Sequence, residues 1–115
     1  MIDLGFAYYA VTDEDDADRI NSLFARLAVS EGPLQAVIWH VGKQAWKFMP
    51  GVAAELLFDD RLWDQRHEVD RSEAERIARE ILGTELPSEE ELRRMCADGL
   101  SRWDFKTDPD GNFVD

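Results

Sequence analysis

The chain has 115 residues, of which 44% are hydrophobic and 33% are charged, so one folded domain spanning residues 1–115 is expected. Its 25 acidic and 13 basic residues give a net charge of −12, which argues against nucleic acid and anionic membranes as partners. No apolar run approaches the length of a membrane span, and the N-terminus lacks the basic segment of a signal peptide. Cys96 is the single cysteine, so no internal disulfide forms and a cytoplasmic protein is expected.

The first third of the chain predicts a strand followed by a long helix. Residues 2–11 place apolar side chains on both faces of an extended chain, which is typical of an inner strand. After the N-cap candidate Thr12-Asp13, apolar residues recur at helical spacing until Gly32-Pro33 ends the pattern. A helix in this position implies that the strands before and after it are parallel and joined by a right-handed crossover.

The next segment predicts a β-hairpin. Gly42-Lys43 is a two-residue turn of the Gly-X type between the strands 35–41 and 44–49. Counting back from this turn places Trp39 opposite Trp46, on the side of the hairpin expected to face the core.

Two capping boxes predict two further helices. Asp70 with Glu73 begins one helix, which ends at Gly83, and Ser88 with Glu91 begins the next. The apolar residues on these helices are Ala74, Ile77, Ala78 and Ile81 in the first and Leu92, Met95, Cys96 and Leu100 in the second.

The remaining segments complete the predicted fold. Residues 52–60 read as a short helix, residues 61–69 as extended or irregular chain, and residues 102–114 as a hairpin around the turn 108–111. The predicted class is therefore α+β: a single domain in which about four helices pack on a mixed, mostly antiparallel sheet.

The sequence contains no spacing that predicts a catalytic, nucleotide or metal site. Its seven glycines are isolated, and one cysteine with two histidines falls short of a zinc site. Residues 108–112 resemble part of a calcium loop, but Lys106 occupies the first ligand position and the twelfth falls beyond Asp115. Cys96 lies on an apolar helix face and is expected in the core. We therefore expect a non-enzymatic protein without cofactor or metal.

Clustered carboxylates and two tryptophans among charged residues predict a protein-binding surface. Tryptophan is enriched at interface hot spots, and carboxylates would attract a basic partner, although the charge would also serve solubility alone. The candidate partner-binding residues are Trp63, Trp103, Glu14, Asp15, Asp16, Asp59, Asp60, Asp64 and Asp104.

Two other functions stay open. If the hairpin face that carries His40 and Lys47 is open, it could line a pocket for a small ligand or for enzymatic chemistry. If a helix covers this face, His40 is a hydrogen-bonded, half-buried side chain. The third function is a structural homodimer through a sheet edge or the C-terminal hairpin.

One segment resembles known proteins in its turn and capping residues. Residues 82–92, with the sequence LGTELPSEEEL, and the preceding residues 68–71, with the sequence EVDR, resemble small acidic bacterial proteins of uncharacterised function. In size, charge and α/β pattern the chain is similar to immunity proteins, which neutralise a bacterial toxin by covering its active site. The resemblance implies an inhibitor of a basic protein, and it transfers no site residue to this chain.

Overall fold

The computed structural model describes residues 3–13, 15–16, 18–29 and 32–106. Five antiparallel strands form one sheet in the spatial order β4-β3-β2-β1-β5, which confirms the α+β class. The strands are β1 (Asp3–Thr12), β2 (Ile20–Val29), β3 (Gln35–His40), β4 (Ala45–Phe48) and β5 (Arg66–Val69). The helices are α1 (Pro50–Phe58), α2 (Arg71–Ile77) with its π-helical extension (Ala78–Leu82), and α3 (Glu89–Lys106). A 3₁₀ turn, Trp63–Gln65, precedes β5.

The helix predicted between Thr12-Asp13 and Gly32-Pro33 is wrong, because this segment forms β2. Leu23 and Phe24 are both fully buried although they point to opposite faces of the sheet, since β2 is the central strand and has a core on each side. A strand buried on both faces loses its period-two alternation, and its apolar residues here coincide with helical spacing.

Because a strand replaces the predicted helix, the predicted right-handed crossover is also wrong. The chain passes from β1 to β2 through the loop 13–19, and these two strands pair antiparallel along their length. β1 and β3 do run in the same direction, but β2 lies between them and no helix joins them. All four neighbouring strand pairs are antiparallel, so the sheet is not mixed.

The hairpin register predicted from the Gly42-Lys43 turn is confirmed, but the two-residue turn of the Gly-X type is not. The strands end at His40 and begin at Ala45, so the connection is residues 41–44, and Gln44 rather than Gly42 has a positive φ, of 52°. Trp39 pairs with Trp46, and His40 pairs with Ala45. The Trp46 indole Nε1 also donates a hydrogen bond to the Glu85 carbonyl oxygen at 3.0 Å, which ties the hairpin to the chain between α2 and α3.

Each face of the sheet carries its own core. On one face, α2, its π-helical extension and α3 pack on residues that include Leu23 and Val37. On the other face, α1 packs on Phe24 and Ile38 through Ala53. The sequence left open whether a helix covers the hairpin face that carries His40, and α1 covers that face.

At both predicted helix starts the N-cap side chain accepts the expected hydrogen bond. The Asp70 carboxylate accepts from the Glu73 amide at 2.8 Å, and the Ser88 hydroxyl accepts from the Glu91 amide at 3.2 Å. The apolar stripe of the first helix ends earlier than predicted, however, because Ile81 is 44% exposed. A π-helical turn contains more residues than an α-helical one, so it rotates Ile81 away from the core.

The C-terminal region differs from the predicted hairpin. Residues 102–106 belong to α3, whereas a strand was expected there; the turn 108–111 and the second strand lie outside the described residues. No proline interrupts the chain between Pro87 and Pro109, so nothing stops the helix earlier.

The described chain thus contains three α-helices, not about four. None of its described helices combines the length and the apolar character that a bilayer span requires.

Candidate protein-binding surface

Two acidic segments that are distant in sequence lie side by side at one end of the sheet. The Thr12 hydroxyl, at the end of β1, donates to the Gln65 carbonyl oxygen at 3.3 Å. β1 also pairs with β5, which begins directly after Gln65. The loop 13–19 therefore lies beside the segment 59–66, and together we name them the acidic end. These fifteen residues contain eight carboxylates and three arginines, so they carry a net charge of −5 out of −12 for the chain.

The loop 13–19 is held by its own aspartates. The Asp13 carboxylate accepts from the Asp15 amide at 3.0 Å, and the Asp16 carboxylate accepts from the Asp18 amide at 3.0 Å. Such bonds from an aspartate to the backbone two residues later fix a turn locally. Asp15 and Asp16 are exposed, so the loop presents their charge to solvent.

In the segment 59–66, one aspartate is paired and two present their charge. The Arg61 guanidinium donates to both carboxylate oxygens of Asp59, at 3.1 Å from Nε and 2.9 Å from Nη2. This side-chain hydrogen bond, with a further one from the Arg61 amide, lowers the pKa of Asp59 to about 2. Asp60 and Asp64 are exposed.

The guanidinium of Arg66, the third arginine of the acidic end, is engaged with backbone. It donates to the carbonyl oxygens of Leu56 at 2.8 Å and Leu57 at 3.1 Å. These are among the last carbonyls of α1, where a cation is favourable to the helix dipole. Arg66 thereby fixes the end of α1 to the start of β5.

The structure brings part of the predicted partner-binding set together. The acidic end contains Asp15, Asp16, Asp59, Asp60 and Asp64, together with the backbone of Trp63. Glu14 and the side chains of Trp63, Trp103 and Asp104 lie outside the described residues.

Trp103 belongs to a different part of the molecule. It lies on α3 one turn beyond Gly99, which packs against Phe48 in β4, whereas Trp63 precedes β5. Because β4 and β5 are the opposite edges of a five-stranded sheet, about 19 Å separates them across the strands. The backbone positions of the two tryptophans therefore lie toward opposite edges of the sheet.

His40 and Lys47 lie on the face of the sheet that α1 covers. His40 is half-buried, and its Nδ1 accepts a hydrogen bond from the Lys43 amide at 3.1 Å. Lys47 pairs with Ile38, which belongs to the core under α1. Of the two alternatives for His40, this geometry matches the one in which a helix covers the face and His40 is a hydrogen-bonded, half-buried side chain. The hydrogen bond stabilises the hairpin turn.

A surface cavity of about 330 Å³ lies elsewhere, on the outer side of α2 and its π-helical extension. Its lining is polar, and Arg76 in this lining is engaged with Glu73 and Glu80. The lining residues are Ser72, Glu75, Arg76, Arg79 and Glu80. Within the described ranges, no group of three or more histidine, cysteine or carboxylate side chains could hold a metal ion.

Phe58 is a surface residue that the sequence analysis did not single out. It is 64% exposed at the end of α1, and the guanidinium carbon of Arg26 lies 5.7 Å from its ring centroid. Successive helix residues turn by about 100°, so Phe58 points about 200° away from the buried Leu56. That rotation is the signal that could have identified it.

No family model, curated protein or solved structure matches this chain. Fold and surface therefore define it only as a small acidic α+β domain with a charged sheet end, and its function has to be argued from that geometry.

Proposed function

We propose that this chain is a non-enzymatic protein-binding domain that docks a basic protein on its acidic end, as an immunity or antitoxin-like protein does when it covers the active site of its target. One observation carries the proposal: β1 and β5 bring the segments 13–19 and 59–66 together, so fifteen residues carry five of the twelve net negative charges.

The acidic end has the properties that favour fast association with a basic surface. Its exposed carboxylates create a local negative field, which raises the association rate and weakens as salt screens it. Its described residues are held locally, by the turns at Asp13 and Asp16 and by the contact between Arg66 and α1. Little conformational freedom is then lost on binding.

The two other functions receive less support from the described residues. The sheet edges β4 and β5 are four residues long and carry Lys47 on one and Arg66, His67 and Glu68 on the other, features that oppose edge-to-edge pairing. A net charge of −12 also repels a second copy. A pocket at His40 is disfavoured because α1 covers that face.

A pair of charge-matched variants tests the proposal. The test variant carries Asp15→Asn, Asp60→Asn and Asp64→Asn, and the control carries Glu90→Gln, Glu91→Gln and Asp98→Asn on α3. All six residues are exposed, and each variant removes three negative charges. Tagged wild type and both variants are used to capture partners from the native lysate at low salt, and the affinity of the retained protein is then measured.

We expect a basic protein whose affinity for the test variant falls by at least about ten-fold, while the control changes it by less than about three-fold. Raising the salt concentration should reduce this difference, because screening removes the contribution of the acidic end. An equal loss in both variants would show that only total charge matters and would contradict the proposal.

A further inference from the structure

Phe58 combines exposure with a cation–π contact to Arg26. A large apolar side chain that is 64% exposed leaves apolar surface in contact with water, and burying it against a partner would be favourable. The Arg26 guanidinium at 5.7 Å from the ring centroid lies within cation–π range and restrains the ring. A restrained aromatic side chain is typical of an interface anchor, because little entropy is lost when it binds.

The charges around Phe58 are mixed, since the Arg26 guanidinium lies over its ring, but three carboxylates adjoin it along the chain. Asp59 and Asp60 follow it directly, and the exposed Glu55 lies one turn earlier on the same side of α1. Phe58 thus adjoins the acidic end and fits within one interface of ordinary size, which covers about 800 Å² per partner. An apolar centre with a charged rim is the usual arrangement of a protein interface.

We infer that Phe58 is the apolar anchor of the proposed docking surface, and that the partner presents an apolar side chain or pocket surrounded by arginine or lysine. This inference rests on the proposed function and adds the apolar contact that charge alone does not provide. A second copy of this chain is excluded as the occupant by its own acidic surface, since the net charge of −12 opposes self-association.

Two synthetic peptides serve as probes of this surface. Each contains four arginines; one has two leucines between them and the other has two serines. Their dissociation constants are measured by NMR titration with wild type, with Phe58→Ser and with Ile81→Ser. Ile81 is the matched control because it is also large and exposed, at 44%, but lies on the π-helical segment. Circular dichroism and thermal melting establish that each variant is folded.

We expect wild type to bind the leucine peptide about five-fold more tightly than the serine peptide. Phe58→Ser should remove this preference, and Ile81→Ser should keep it. Both peptides should bind less tightly at high salt.

Two results would overturn the inference. If both peptides bind more weakly at high salt but wild type does not prefer the leucine peptide, the acidic end binds basic chains and Phe58 is not the anchor. The same conclusion follows if Phe58→Ser still prefers the leucine peptide. If neither peptide binds at low salt, the proposed function fails and the anchor fails with it.

Discussion

At the residue scale, Asp59 shows how one neighbouring guanidinium sets the ionisation of a carboxylate in the acidic end. The Arg61 side chain lowers the pKa of Asp59 from 3.8 to about 2. Since the folded-state value lies below the ordinary one, ionised Asp59 favours the folded state above about pH 4, and this contribution disappears as the pH falls through about 2.

An NMR titration of the side-chain carboxyl groups measures this directly. We expect a midpoint near pH 2 for Asp59 in the wild type and a higher midpoint, still below the ordinary 3.8, in Arg61→Ala, because that variant removes the side-chain hydrogen bond but keeps the one from the backbone amide of residue 61. An ordinary midpoint in the wild type would show that the ion pair does not form in solution.

Gly99 illustrates close packing between a helix and the sheet. A Cβ added at Gly99 would lie 2.2 Å from Cδ2 and 2.8 Å from Cβ of Phe48, so the aromatic side chain or the helix has to move. We expect Gly99→Ala to lower the free energy of unfolding by about 1–3 kcal/mol, as overpacked substitutions do.

Gly51, near the start of α1, is the matched control for Gly99. It has nothing within 4 Å of an added Cβ, so Gly51→Ala should leave stability unchanged or raise it by up to about 1 kcal/mol. Urea unfolding of both variants provides the comparison. Equal stability of Gly99→Ala and wild type would contradict the packing of α3 on β4.

At the element scale, the π-helical extension of α2 determines which apolar residues reach the core. Ile77 is 1% exposed, whereas Ile81, four residues later on the predicted stripe, is 44% exposed. Ile77→Ala should therefore lower the free energy of unfolding by about 2–4 kcal/mol, and Ile81→Ala by less than about 1 kcal/mol. Similar losses in chemical denaturation would indicate a regular α-helix through Ile81.

Local signals allowed some elements to be predicted and left others undetermined. The register of Trp39 opposite Trp46 follows from counting back from the turn around Gly42-Lys43, and the two helix starts follow from capping residues within four positions. β2 could not be distinguished from a helix, because its burial on both faces depends on α1, α2 and α3, which lie far away in sequence.

The candidate surface was only partly predictable for the same reason. The acidic clusters at residues 14–16 and 59–64 are visible in the sequence, but their adjacency depends on β1 pairing with β5 and on a hydrogen bond between residues 53 positions apart. The interaction of the Arg71 guanidinium with the buried Tyr8 hydroxyl at 2.7 Å is equally non-local. Such contacts are fixed by the topology of the whole sheet.

At the scale of the whole molecule, the charge is distributed unevenly, and this unevenness supports the proposed docking surface over a charge that serves solubility alone. The acidic end carries a net charge of −5 in fifteen residues. The helices on the face opposite α1 carry ion pairs such as Arg76 with Glu80 at 3.1 Å. A solubilising charge requires no such concentration. We therefore expect a partner to contact one end of the sheet and to leave the outer surfaces of α2 and α3 free.

The most direct test of this claim is a map of the bound surface. Amide correlation spectra of the ¹⁵N-labelled protein are recorded alone and with the captured basic partner. We expect the largest changes in amide chemical shift and the largest losses of signal in the segments 13–19 and 58–66. Changes concentrated on α2 and α3, with the acidic end unaffected, would contradict this claim.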